Sequence, residues 1–327
     1  MISLPEFRNG FIDRVTELHW KQWSALGVAS HVKPETDWLV DIEPLIVSSM
    51  ILGPYDSRLI NVCAEWIASN KDWINLHRLK RIAKYFQKST TNIPFPEHVS
   101  NAIENVILSK KNIHAELFVS EYMKHLDRGK VPHIRESYDR GVISSIRPQK
   151  PPLLQIKLRS FLGIDASVEV FIYLLFNKSG NSNQIAREMF YDQKGIYRVL
   201  ERLAKGGFVD KVPEGRGANY TLNDKDMWFA LLGNQNMSAY INWPKTYCLL
   251  GTINVALSSR QWANDRYLFS SFFRDISEES GKLARNLNIV LPDQYAYPGE
   301  EYFSPFAEFL LASVDKILYP AKINVKE

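Results

Sequence analysis

The sequence predicts a mainly α-helical, multi-domain protein with a single β-hairpin near its middle. Three observations carry that expectation. Apolar residues recur at a 3.6-residue period through both flanks of the chain. A central run from Asp165 to Gly207 divides into three short helical patterns, each preceded by a capping residue. Directly after it comes a glycine-tipped stretch with β-like flanks, the pattern of two short strands. At 327 residues the chain exceeds one typical all-helical domain, and two or three are expected.

Residues 1–127 read as a helical N-terminal domain. Phe11, Val15 and Leu18 fall on one helical face, and Gly27 supplies a stop. Asp56 can cap a helix on which Leu59, Val62, Cys63, Trp66 and Ile67 repeat at i, i+3, i+4, i+7 and i+8. A further helix from Leu76 to Phe86 turns Leu79, Ile82, Ala83 and Phe86 inward, leaving Arg78, Arg81 and Lys84 for the other side. Residues 128–155 differ in character, with Gly129, Gly141 and three prolines between Pro148 and Pro152, and they read as a connector.

Within residues 156–225, Asp165 is placed to cap a first helix with Val168, Phe171, Ile172 and Leu175 on one face, ended by Gly180. Ser182 can cap a short second helix, with Ile185, Ala186 and Met189 inward. Asp192 can cap a third, whose Ile196, Val199, Leu200 and Leu203 keep the period until Gly206 and Gly207 stop it. Phe208 and Val209 lead into a polar tip at Pro213 to Gly217, and Ala218, Tyr220 and Leu222 lead out. Residues 226–327 read as a helical C-terminal domain, with helices from Trp243 to Ser259, Tyr267 to Asn286 and Phe303 to Leu318. Tyr267, Phe269, Phe272 and Phe273 are read as core rather than as a platform for stacked bases.

Helix, short helix, longer helix and then a hairpin is the order of a winged helix-turn-helix, with the hairpin as wing. The segment resembles the bacterial winged-helix regulators of the MarR and ArsR type, in which an Ile-Ala pair precedes a recognition helix of the form v-x-r-x-L-x-x-L-x-x-x-G. Here these are Ile185-Ala186, then Ile196, Arg198, Leu200, Leu203 and Gly207, followed by Phe208-Val209. The likeness covers about 60 of 327 residues. With the preceding LRSFLGIDASVEVF and the long helical N-terminal part, the chain also resembles a group of uncharacterised bacterial winged-helix proteins. Two departures stand out: Gly195, which weakens the first turn of the third helix by roughly 1 kcal/mol relative to Ala, and a short wing.

The resemblance implies binding to double-stranded DNA and a role as a transcriptional regulator. A recognition helix over 193–205 would enter the major groove with Gln193, Lys194, Tyr197 and Arg198 at the base edges. Arg202, Lys205 and Arg187, with Arg216 on the 212–218 wing, are placed for phosphates. A homodimer is the usual state of such readers, because half-sites repeat once per helical turn. The three helical patterns over 41–86 could form a second, degenerate helix-turn-helix, although a solvated basic face explains Arg78, Arg81 and Lys84 more simply. From 153 to 225 there are 11 Lys/Arg against 8 Asp/Glu, a modest excess. The alternative is therefore a protein–protein interaction module, the scaffold or neutralising partner in a two-gene system, with the winged helix as docking platform.

Composition excludes little. A net charge of +4 is compatible with nucleic acid without implying it. The longest apolar stretches, such as Val168 to Phe176, are under half the roughly 20 residues a membrane helix needs. The opening MISLPEFRNG shows no export signal, and two cysteines in apolar patterns suit a reducing compartment, so the expected location is the cytoplasm. No Walker loop, GxGxxG, GxSxG or CxxC pair occurs, and nothing proposes an enzyme or a cofactor. His114, Glu116, Glu121 and His125 lie close together without the spacing of a zinc helix, and His19 reads as a core-edge histidine rather than a base.

Overall fold

Capped amphipathic stretches become helices along most of the chain. The computed structural model describes residues 2–33, 36–89, 97–108, 143–215, 217–233, 239–259 and 265–320. Among them the protein is mainly helical, with one two-stranded antiparallel sheet. Helix α1 (Leu4–Ala25) opens with a capping box, Ser3 Oγ accepting from the Glu6 amide while Glu6 Oε2 accepts from Ser3 N. Three helices follow, α2 (Ile42–Leu52), α3 (Ser57–Asn70) and α4 (Leu76–Ser89), with Asp56 capping α3 as its position predicts. A short α5 (Glu97–Ala102) runs directly into a π-helical turn, Ile103–Leu108, which ends the first described part. Gly129, Gly141 and the His114 to His125 group lie outside the described residues. The described end of the connector is not loose, since Pro152 and Leu153 are buried and Val40 N donates to Pro152 O at 2.8 Å.

The C-terminal part consists of α11 (Trp243–Ser258), α12 (Arg266–Asp275), α13 (Ser277–Leu287) and α14 (Phe303–Leu318). One helix was expected where α12 and α13 stand. The chain turns at Ile276, because Ser277, Glu278 and Glu279 make a polar, acidic first turn suited to a fresh N-terminus. Phe269, Phe272 and Phe273 are core, as read from the sequence, whereas Tyr267 is 64% exposed. Helices from both flanks of the chain meet in one buried cluster. Phe7 of α1 touches Phe273 and Phe303 edge-on at 5.8 and 5.9 Å, and Arg14 pairs with Asp315 at 2.6 Å.

Between them stand α6 (Leu154–Leu162), α7 (Ala166–Phe176), α8 (Ser182–Met189), α9 (Gln193–Lys205), the hairpin β1 (Val209–Glu214) and β2 (Gly217–Leu222), and α10 (Lys225–Leu231). Their apolar faces form a second cluster that includes Val168, Phe171, Ile185, Met189, Ile196, Leu200, Val209 and Tyr220. Asp165 and Asp192 cap α7 and α9 as expected. The cap of α8 is Asn181, not Ser182, its Oδ1 accepting from Gln184 N at 2.9 Å. Helix α7 ends at Asn177 rather than Gly180, which instead exchanges two 3.0 Å backbone hydrogen bonds with Tyr220. Gly180 lies so close to the Tyr173 ring that a Cβ would stand 2.6 Å from it. At the end of α9, Gly206 stays right-handed and Gly207, at φ +75°, makes the left-handed stop.

One sequence reading reverses outright. Arg78, expected on the outer side of α4, is 1% exposed and sits in an ionic network described below. Among the described residues no helix is long and apolar enough to cross a membrane.

Candidate nucleic-acid interface

Helix α9 is built to show one face. Ile196, Val199 and Leu200 are buried, so the 100° step per residue leaves Gln193, Lys194, Tyr197, Arg198, Arg202 and Lys205 on the other side. Asp192 Oδ1 accepts from Gly195 N at 2.7 Å and closes the first turn. Gln193 Nε2 donates to Ser182 Oγ at 2.9 Å, which ties the starts of α8 and α9 together. Among the described residues Lys194 and Arg198 have no hydrogen-bonding or ion-pair partner, and Tyr197 is 44% exposed. These four side chains crowd the N-terminal half of the helix, where unpaired amides and the helix dipole add a positive potential.

The remaining expected residues are less uniform. Arg202 donates from Nη2 to Ser167 Oγ at 2.6 Å, so it also anchors α9 to the start of α7. Lys205 is exposed on the last turn. Arg187 projects from α8 with its side chain 74% exposed, 3.7 Å from Glu188. Arg216 lies outside the described residues. The hairpin pairs in register from Val209 with Leu222 to Glu214 with Gly217. Glu201 fixes it to α9, accepting from Tyr220 Oη at 2.7 Å and pairing with Lys211 at 2.7 Å. Asp210 and Glu214 stand exposed on the same hairpin.

Comparisons of the chain with protein-family models, curated proteins and solved structures find no match. What the site can do follows from its own chemistry.

Sequence reasoning missed what holds this unit against the N-terminal helices. Arg78 of α4 grips both oxygens of Asp41 at 2.5 and 2.6 Å and Glu43 at 2.7 Å, and its Nε donates to Met189 O, the end of α8, at 3.0 Å. Arg159 of α6 bonds both oxygens of Glu43 at 2.7 and 2.9 Å and Glu169 of α7 at 2.8 Å. Tyr191, in the turn between α8 and α9, donates to Glu169 at 3.0 Å and accepts from Asn75 at 2.7 Å. Burial opposes the charge of Glu43, but Arg159 and then Arg78 outweigh it and hold the carboxyl at about 2. No local spacing announces this group, because Arg78 finds Asp41 37 residues away and Arg159 finds Glu43 116 away.

The sequence also understated the surface beside α8. His77, Arg81, Lys84 and Lys88 recur at i, i+4, i+7 and i+11 along α4, and Lys84, Lys88 and His77 are exposed. Arg81 Nε donates to His77 Nε2 at 3.0 Å.

Proposed function

We propose that residues 156–225 act as a winged helix-turn-helix and that the protein binds duplex DNA as a transcriptional regulator. The observation that carries this reading is the row Gln193, Lys194, Tyr197 and Arg198 on the open side of a helix whose opposite face is buried. A Gln can pair with adenine and a Lys or Arg with guanine in the major groove, while Lys205, Arg202 and Arg187 lie where backbone phosphates would pass. The Gly180–Tyr220 bridge adds support, since it gives the hairpin a third, strand-like neighbour between the first two helices. As a homodimer the protein would read two half-sites about one helical turn apart.

Binding of labelled duplex across a salt series tests the reading. The wild-type affinity should fall with salt, and Lys194→Ala and Arg198→Ala should each weaken binding by about 1–3 kcal/mol, the cost of one unmade bond pair to a base edge. Unchanged affinity and salt slope in both variants would sink the proposal.

One observation favours the second reading, a protein-docking platform. Phe161 and Leu231 are 71% and 67% exposed beside the Lys157 to Leu232 hydrogen bond, and Phe208 and Met227 are 45% and 47% exposed near the base of the hairpin. A stable complex with a second protein, formed by a chain that binds no duplex, would favour that use.

A further inference from the structure

We propose that the cleft between α4, α8, α11 and α13 binds a small molecule carrying two or more phosphate groups. The cleft has a volume of about 740 Å³, within the usual range for small-molecule sites. Its wall carries six cations, Arg81, Lys84, Lys88, Arg187, Lys245 and Lys282, against one carboxylate, Glu188. That carboxylate is already engaged, by Lys245 at 2.5 Å and Asn242 at 2.8 Å, and Lys282 is paired outward with Glu278 at 2.8 Å. Arg187 reaches Glu188 only at 3.7 Å, and among the described residues Lys84 and Lys88 have no carboxylate partner.

Cations three and four residues apart on one helix repel each other and weaken it. Four helices bringing such residues to one concave place leaves a positive potential that only a multiply charged anion would balance. Tyr85 and Phe190, in edge contact at 5.0 Å, supply low-dielectric wall that concentrates the field. With Lys245 and Lys282 already paired, four cations remain, and a single phosphate, at a charge of roughly −2, would balance only about half of them. The cleft does not include Gln193, Lys194, Tyr197 or Arg198, and a duplex, whose phosphates lie on a convex cylinder, would touch only its rim. Its wall does include Phe190 and Tyr191, the turn that leads into α9, so a bound ligand would sit at the base of that helix. The assignment does not rest on DNA binding.

Calorimetric titration of the full chain with inorganic tripolyphosphate and with ATP, at about 0.15 M salt to screen weak surface attraction, provides the test. Saturable binding at one site is expected, weakened roughly tenfold or more in an Arg81→Gln/Lys84→Gln variant and in Lys88→Gln. Orthophosphate should bind more weakly, and Lys150→Gln, exposed and not among the residues that line the cleft, should leave affinity unchanged. These side chains lie at the surface, so unchanged thermal unfolding will show that the variants are folded. Absence of saturable binding to both ligands would overturn the proposal, as would equal affinity in the cleft variants. Loss of duplex affinity in those variants without tripolyphosphate binding to the wild type would also overturn it, and would reassign the cations to the duplex surface.

Discussion

Arg78 and Arg159 lie in the interior with Asp41, Glu43 and Glu169, all at 3% exposure or less. Two guanidiniums cannot neutralise three carboxylates, so the uncharged donors Gln155, Tyr191 and Asn75 complete the shell. Such a group contributes little net stability compared with an apolar core, yet breaking it is costly because the remaining charges stay buried. Arg78→Met should therefore destabilise the protein by about 3–5 kcal/mol in urea unfolding. Arg78→Lys should recover only part of the loss, since a single ammonium cannot repeat the two-pronged grip on Asp41 together with the bond to Met189 O. A loss below about 1 kcal/mol for the Met variant would show that the network is not a structural clamp.

At the scale of the element, α9 was the most legible part of the chain. Its cap, its period and its glycine stop all act within a few residues of one another, so local chemistry alone specifies them. The smaller misreadings have local causes of a different kind. Ser182 and Asn181 are both good capping residues, and only the backbone geometry chose Asn181. Gly180 looked like a helix stop because glycine often is one, whereas here it permits close approach to the Tyr173 ring. Asp192→Ala removes the side-chain bond that closes the first turn of α9 and should cost about 1 kcal/mol. Hydrogen exchange should locate the effect in residues 193–196, with β1 and β2 little changed. Uniform loss of protection across the protein would contradict this local role.

At the scale of the whole molecule, the two flanks share one core, and His19 lies inside it. Its Nδ1 is 2.8 Å from Val15 O, its Nε2 is 2.8 Å from Ser48 Oγ, and the Tyr247 ring of α11 packs on it at 4.8 Å. Burial pulls its pKa down from 6.5 to about 4. The unfolded chain therefore takes up a proton near pH 6.5 that the folded chain refuses until about pH 4. The contribution is complete above pH 6.5 and is lost as pH falls through that window, by about 3 kcal/mol in all. Urea midpoints should drop between about pH 7 and about pH 4.5, and His19→Gln should flatten that slope even if it lowers stability throughout. An identical slope in the variant would mean that other groups set the acid sensitivity.

Local pattern along the chain specifies the bounds of α9, α11 and α14, the caps of α3, α7 and α9, the hairpin that follows α9 and the α9 side chains that face outward. Those features depend on period, caps and turn residues within a few positions, and they survive any arrangement of the rest. The burial of Arg78, the packing of α1 on α14 and the gathering of cations from four separate helices at one cleft arise from long-range packing. Charge and exposure at those places depend on partners tens to hundreds of residues away, and a local pattern carries no record of which distant side chain will arrive.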